Sequence, residues 1–168
     1  NTTYGEGLLV KEGNPKKLSG YDDFKKDDMK VAVMAGADQL QMLQKLGVSQ
    51  DHIVTINSNS DAISTVQTGR ADAYAATGLT ASQLADKSKQ VQIVADFKDP
   101  VIDGKPARSW GGFTFNKDSA DLRDAFNKEL VDFKKTDEWK KILSGYGFTP
   151  TDIKESSAKS TKELCSGD

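Results

Sequence analysis

Two short runs of this chain carry groups suited to recognising a small polar ligand. The first is Met34-Ala35-Gly36-Ala37-Asp38-Gln39, where an apolar run ends at a glycine and passes into residues with helical spacing. Glycine lets the backbone approach a ligand, and the N–H groups of a helix's first turn attract an anion. The same residues have a second reading, in which Asp38 simply caps the helix. The second run is Thr68-Gly69-Arg70-Ala71-Asp72-Ala73-Tyr74-Ala75-Ala76-Thr77, a helix stop leading into a short buried strand. Asp72 reads as a strand-start residue, and Thr77 closes the strand at the edge that the first run also occupies. Trp110 reads first as a core or packing tryptophan, and as the alternative it offers a cation its π face. Ser58, Asn59 and Ser60 stand at another helix start, where capping suits them.

Nothing else resembles catalytic chemistry. One histidine, His52, and one cysteine, Cys165, are present. They supply neither a His-based zinc site nor a nucleophile–base pair, and no internal disulfide. The reading is therefore of a non-enzyme with no metal and no cofactor. The 168 residues carry a net charge of −2 with both signs mixed throughout. That leaves no basic footprint for nucleic acid, and the lysine pairs beside acids read as solvated helix faces. No apolar run reaches the length of a membrane span, and Asn1-Thr2-Thr3-Tyr4 has no signal-peptide character.

The elements that must position the two runs follow from periodicity. Strands are expected at residues 7–11, 30–34, 53–56, 72–76 and 91–94. Helices are expected at 18–24 (introduced by Ser19), 38–46, 58–68 and 80–87, the last capped by Thr80. This alternation predicts an α/β fold, a mostly parallel sheet with helices on both faces, and a ligand edge outside the carboxyl ends of the strands. After Phe97 the pattern changes. Residues 99–106 read as turns, 110–116 as a strand, 118–136 as a long helix with Leu122, Phe126, Leu130 and Phe133 on one stripe, and 138–143 as another helix. Trp139, Phe126 and Phe133 are assigned to the core. Residues 149–168 read as a polar tail. The first strand and the long helix find no sheet of their own in this scheme.

The order Gly13-Asn14-Pro15 after a strand, Lys30-Val31-Ala32-Val33-Met34-Ala35-Gly36, Gly69-Arg70-Ala71-Asp72-Ala73, Trp110-Gly111-Gly112-Phe113-Thr114-Phe115-Asn116-Lys117 and Asp121-Leu122-Arg123-Asp124-Ala125-Phe126-Asn127, closing on Gly145-Tyr146-Gly147-Phe148, resembles a known family. It is similar to the periplasmic solute-binding proteins of ATP-driven importers, of the polar-amino-acid type (bacterial extracellular solute-binding protein family 3). Among them it most resembles the ectoine- and hydroxyectoine-binding members. The resemblance implies a type II periplasmic-binding-protein-like fold: one doubly wound lobe plus hinge strands and the C-terminal helices of an incomplete first lobe. It divides the chain into an entering hinge strand (1–15), the second lobe (16–109), a returning hinge strand (110–116), and helices and tail belonging to the first lobe (117–168). Most of the N-terminal lobe is absent on this alignment, with the arginine and aromatic residues that grip the ligand there. Cys165 then lacks the first-lobe cysteine that its counterpart pairs with.

The resemblance also assigns roles. Gly36, Ala37, Asp38, Gln39, Thr77 and Trp110 fall at ligand positions. Relatives that bind α-amino acids carry a hydroxyl residue where Ala37 stands and an aspartate where Thr77 stands. A threonine does not suit a compact ammonium, so the departure points to a ring-bound or delocalised cation, as in ectoine. The implied partners are a small zwitterionic solute and a membrane permease, in the periplasm or lipid-anchored outside the cell. Exposed hinge strands invite self-association by strand exchange. A polar amino acid as ligand, a sensor domain, and an enzyme of the same fold (a cyclohexadienyl dehydratase or lytic transglycosylase relative) are the competing readings.

Overall fold

Apolar residues that repeat at every position, rather than every second one, mark a strand buried on both faces. Leu8, Leu9 and Val10 are such a run, and all three are buried. A computed structural model describes residues 2–166, with the side chains of Cys165 and Ser166 outside the description. The elements in order are β1 (Thr2–Tyr4), β2 (Glu6–Lys11), β3 (Val31–Met34), α1 (Asp38–Lys45), β4 (Ile53–Ile56), α2 (Asn59–Gln67), β5 (Ala73–Thr77), α3 (Gly78–Ala85) and β6 (Val91–Ile93). There follow β7 (Val101–Ile102), β8 (Lys105–Pro106), β9 (Ser109–Gly111), α4 (Ala120–Phe133), α5 (Asp137–Gly145), α6 (Pro150–Ala158) and α7 (Thr161–Ser166). They fall into two compact units, Gly5–Ser109 and residues 2–4 with 110–166.

The larger unit is built on a five-stranded sheet in the order β4-β3-β5-β2-β6. β3 runs parallel to β4 and to β5, while β2 runs antiparallel to β5 and to β6. The sheet is therefore mixed, which corrects the expectation of a mostly parallel one. β2 is also no strand without a sheet: its apolar run needs cover on both faces and lies between β5 and β6, inside the larger unit.

Strand alternation divides the core. Leu8, Val10, Val31, Val33, Ala73 and Ala75 face α1, through Leu43, and a 3-10 turn over Tyr21–Lys25, through Tyr21 and Phe24. Leu9, Ala32 and Tyr74 face α2 and α3, through Ala62, Val66, Ala81 and Leu84. Helices thus cover both faces as expected. The stretch expected as a helix over 18–24 is only this short 3-10 turn, and Ser19 does not cap it by its hydroxyl. Its N–H and that of Gly20 donate to the Asp23 carboxylate at 2.7 and 3.2 Å. His52 lies in a turn before β4, its Nδ1 2.7 Å from the Phe24 carbonyl.

In the smaller unit, β1 pairs with β9. Trp139, Leu130 and Leu143 form a buried cluster with Phe126, Phe133, Phe148 and Ile153 packed on it. Leu122, expected on the same stripe, is exposed. The strand expected over 110–116 stops at Gly111. Two consecutive glycines disfavour continued extension, and Phe113 and Phe115 turn to the ring of Phe126, at centroid distances of 4.8 and 5.5 Å. The polar tail is not structureless. Thr149 and Asp152 form a capping box with Pro150 at the first helical position, and α6 follows. The Ser160 N–H and hydroxyl donate to Glu163 at 2.7 and 2.6 Å at the start of α7. The pairing expected for Cys165 concerns a side chain outside the described residues. No helix among the described residues is long and apolar enough to cross a membrane.

Candidate functional site

Because β2 runs opposite to its neighbour, its first residue lies at the carboxyl end of β5. Glu6 is paired with Thr77, Leu8 with Ala75 and Val10 with Ala73. All six side chains project to the α1 face of the sheet. This edge also receives the loop from β3 into α1, so three elements converge on Glu6.

Glu6 is 5% exposed. Gln39 Nε2 donates to its Oε2 at 2.7 Å, and Ser109 Oγ donates to its Oε1 at 2.7 Å. The Tyr21 hydroxyl lies 3.5 Å from Oε2 and 3.4 Å from the Ala76 carbonyl. The Glu6 N–H donates to Asp99 Oδ1 at 3.2 Å. Burial pushes the Glu6 carboxyl above the usual glutamate range; the donors Gln39, Ser109 and Tyr21 work against this, and the Asp99 charge adds to it. Burial, then the charge of Glu6, pushes the Tyr21 phenol well above its ordinary value. Among the described residues no lysine, arginine or histidine forms an ion pair with Glu6. All its side-chain donors are neutral, so they orient the carboxylate without cancelling its charge.

The residues singled out in the sequence are distributed as follows. Gly36 has φ +75°, the left-handed conformation that glycine favours, and turns the chain out of β3. Ala37 is the N-cap of α1 in extended geometry, with no side-chain capping bond. Asp38 is thus the first helical residue and exposed, not the N-cap; its charge suits the positive end of the helix. Gln39 is 6% exposed and ends on Glu6. Thr77 caps α3: its Oγ1 accepts from the Thr80 N–H at 3.2 Å and donates to Thr80 Oγ1 at 3.0 Å. The cap is therefore Thr77, not Thr80, and the helix starts two residues earlier than expected, at Gly78, because the Thr77 hydroxyl holds its first turn. Asp72 accepts from the Lys30 N–H at 2.8 Å, while its own N–H donates to the Lys30 carbonyl at 2.8 Å, tying β5 to β3. Trp110 is half-buried in β9 and belongs to the smaller unit.

The structure thus brings Gln39 and Thr77 to one carboxylate that the sequence reading passed over, together with Tyr21 and Ser109. The signal for Glu6 was its parity: it lies two residues before Leu8 and four before Val10, on a face otherwise wholly apolar.

This mixed α/β architecture, with helix starts gathered at one sheet edge, is that of the type II periplasmic binding proteins. The sequence model of the bacterial extracellular solute-binding proteins matches residues 6–149, and the chain belongs to that family. It is 57% identical over 166 residues to the probable amino-acid ABC transporter periplasmic-binding protein y4tE of Sinorhizobium fredii. That match covers 99% of this chain and 55% of the relative, so the chain spans about half the relative's length. Among solved structures it is similar to EhuB in complex with hydroxyectoine (TM-score 0.78, 27% identity, 99% of this chain and 63% of that one). It is also similar to AncCDT-1, an ancestral amino-acid-binding protein described as a precursor of cyclohexadienyl dehydratase (TM-score 0.67, 27% identity, 88% and 59% covered).

Proposed function

We propose that this chain is part of the substrate-binding component of an ABC importer, working outside the cytoplasm, and that it binds a small zwitterionic solute of the ectoine or hydroxyectoine class without chemical reaction. The ligand positions are the α1 start (Gly36, Ala37, Asp38, Gln39) and the α3 start (Thr77), with Trp110 as a further contact. The observation that carries the solute class is at Thr77. Its hydroxyl is committed to capping α3, and it offers no carboxylate to a compact ammonium. At this position an α-ammonium loses its direct partner, whereas a cation spread over a ring can be met from a neighbouring strand. The likeness to EhuB supports the same class.

A second reading, a polar amino acid as solute, is favoured by the name of the Sinorhizobium relative. Titration calorimetry on the full-length gene product with ectoine, hydroxyectoine, L-arginine and L-glutamine separates the two. Tight binding of an amino acid with no ectoine signal removes the ectoine reading, and silence with all four removes the importer reading.

A further inference from the structure

We infer that Glu6 is the specificity-determining residue that receives the cationic end of the solute, supplying from β2 the carboxylate that β5 lacks at Thr77. The inference rests on the reading of this chain as a binder of zwitterions, and it names the group responsible.

Three observations carry it. Glu6 is the register partner of Thr77 on the same face of the sheet, so its carboxylate stands beside the strand end where a cation would be held. It is buried, and among the described residues its side-chain partners are neutral donors: the Gln39 amide, the Ser109 hydroxyl and the Tyr21 hydroxyl. A desolvated carboxylate without a counter-ion is costly, and a bound cation relieves that cost. Third, Gln39 and Ser109 take different oxygens, at 2.7 Å each. Oε2 is taken by the Gln39 bond and the longer Tyr21 contact, whereas Oε1 accepts from Ser109 and keeps a lone pair. An N–H of a planar N–C–N cation is received at Oε1, with its spread charge beside the carboxylate. Cyclic amidinium and guanidinium share this chemistry, so ectoine and L-arginine are the two probes.

The groups facing Glu6 are few. Asp99 accepts its N–H, Tyr21 lies over Oε2, and α1, β5 and Ser109 present Gln39, Thr77 and a hydroxyl. Of these only Asp99 is a second carboxylate, and it adds negative potential to the same edge.

The test is calorimetry on the full-length gene product and its Glu6→Gln and Glu6→Asp variants, with ectoine and with L-arginine, at pH 7 and pH 5. Whichever probe the wild type binds should bind Glu6→Gln at least about 30-fold more weakly at pH 7. Glu6→Asp, which keeps the charge, should fall between the two. Wild-type affinity should fall as the pH is lowered towards the raised ionisation of Glu6, and Glu6→Gln should show no such fall. Binding of Glu6→Gln within about threefold of wild type overturns the inference while leaving the zwitterion reading intact. If wild type binds neither probe the inference is overturned, and if hydroxyectoine and L-glutamine are silent as well the zwitterion reading itself has failed. Should Glu6→Gln not fold, Glu6→Asp decides, and binding by that variant within about threefold of wild type overturns the inference.

Discussion

Gln39, at the second position of α1, donates its side-chain amide to Glu6, at the first position of β2, at 2.7 Å across 33 residues of sequence. Both residues are buried. This bond fixes the start of a helix to the sheet edge, and it stabilises the charged form of Glu6 more than the neutral form. Replacing Gln39 by leucine should therefore cost about 1–3 kcal/mol at pH 7, and less at pH 4, where Glu6 is protonated. Urea denaturation at the two pH values measures the difference. An equal loss at both would mean that the amide acts by packing alone.

The raised ionisation of Glu6 has a sign that can be checked in stability. Burial is its chief cause and favours the protonated folded form. Glu6 therefore gives the fold its best contribution below the ordinary glutamate value, and that contribution is lost as pH rises through the raised value. The variant Glu6→Gln removes the proton from the balance. Its stability relative to wild type should improve between pH 4 and pH 7, read as a crossing or narrowing of the two urea midpoints. A difference that does not move with pH would contradict the burial argument.

Gly7 and Gly78 meet where β2 passes the start of α3. A Cβ on Gly7 would lie 2.9 Å from the Gly78 Cα and 3.3 Å from its nitrogen. Both are backbone atoms and cannot rotate away, and Gly78 N–H is already bonded to the Gly5 carbonyl at 3.0 Å. Gly7→Ala should destabilise the larger unit by about 1–3 kcal/mol. At Gly69 the space is open but φ is +74°, so the strain there is conformational. Gly69→Asn should be milder than Gly69→Val, since asparagine visits that conformation more readily. Denaturation midpoints of the three variants rank these effects.

The alternation of strand and helix in residues 30–94 was legible because each element there is local. Apolar residues recur at the helical period, glycine ends α2, and Thr77 and Gln39 lie next to the breaks. What was not legible depends on partners distant in sequence. That β2 enters the sheet between β5 and β6 is decided by pairs such as Val10 with Ala73 and Lys11 with Val91, far apart in the chain, and a leading glutamate beside an apolar run looks like an exposed strand end until its register is known. Tyr21 and Ser109 reach the site only through that pairing. The alternation over 110–116 misled because Phe113 and Phe115 satisfy themselves on α4 rather than in a ladder. In the tail, polar composition hid a readable signal: Thr149-Pro150-Thr151-Asp152 is a helix-start pattern whatever follows it.

That pattern gives a prediction for the smaller unit. Thr149 Oγ1 accepts from the Asp152 N–H at 3.2 Å, and the Asp152 carboxylate accepts from the Thr149 N–H and hydroxyl at 2.9 and 2.7 Å. α6 also carries Ser156, whose hydroxyl accepts from the Thr3 N–H at 2.9 Å and so ties β1 to the helix. Thr149→Ala should cost about 1 kcal/mol through loss of the cap. Circular dichroism should record a lower melting temperature and reduced helicity, and Thr149→Ser should restore both. A full loss in the serine variant would assign the effect to the threonine methyl instead.

Tyr74 lies on the opposite face of the sheet from Glu6 and donates its hydroxyl to Asn59 Oδ1 at 2.5 Å, joining the middle of β5 to the first residue of α2. The phenol is buried, and burial raises its ionisation above the ordinary tyrosine value. The folded protein is therefore stabilised fully below the ordinary value, and this stabilisation is lost as pH climbs through the raised one. Tyr74→Phe should cost about 1 kcal/mol at pH 7 by removing the hydrogen bond, yet lose less stability than wild type as the solution is made alkaline. Absorbance titration at the tyrosinate band follows the same group directly. Relative to wild type, the variant should lack one late-ionising tyrosine, and an unchanged late phase would show that Tyr74 ionises like an exposed phenol.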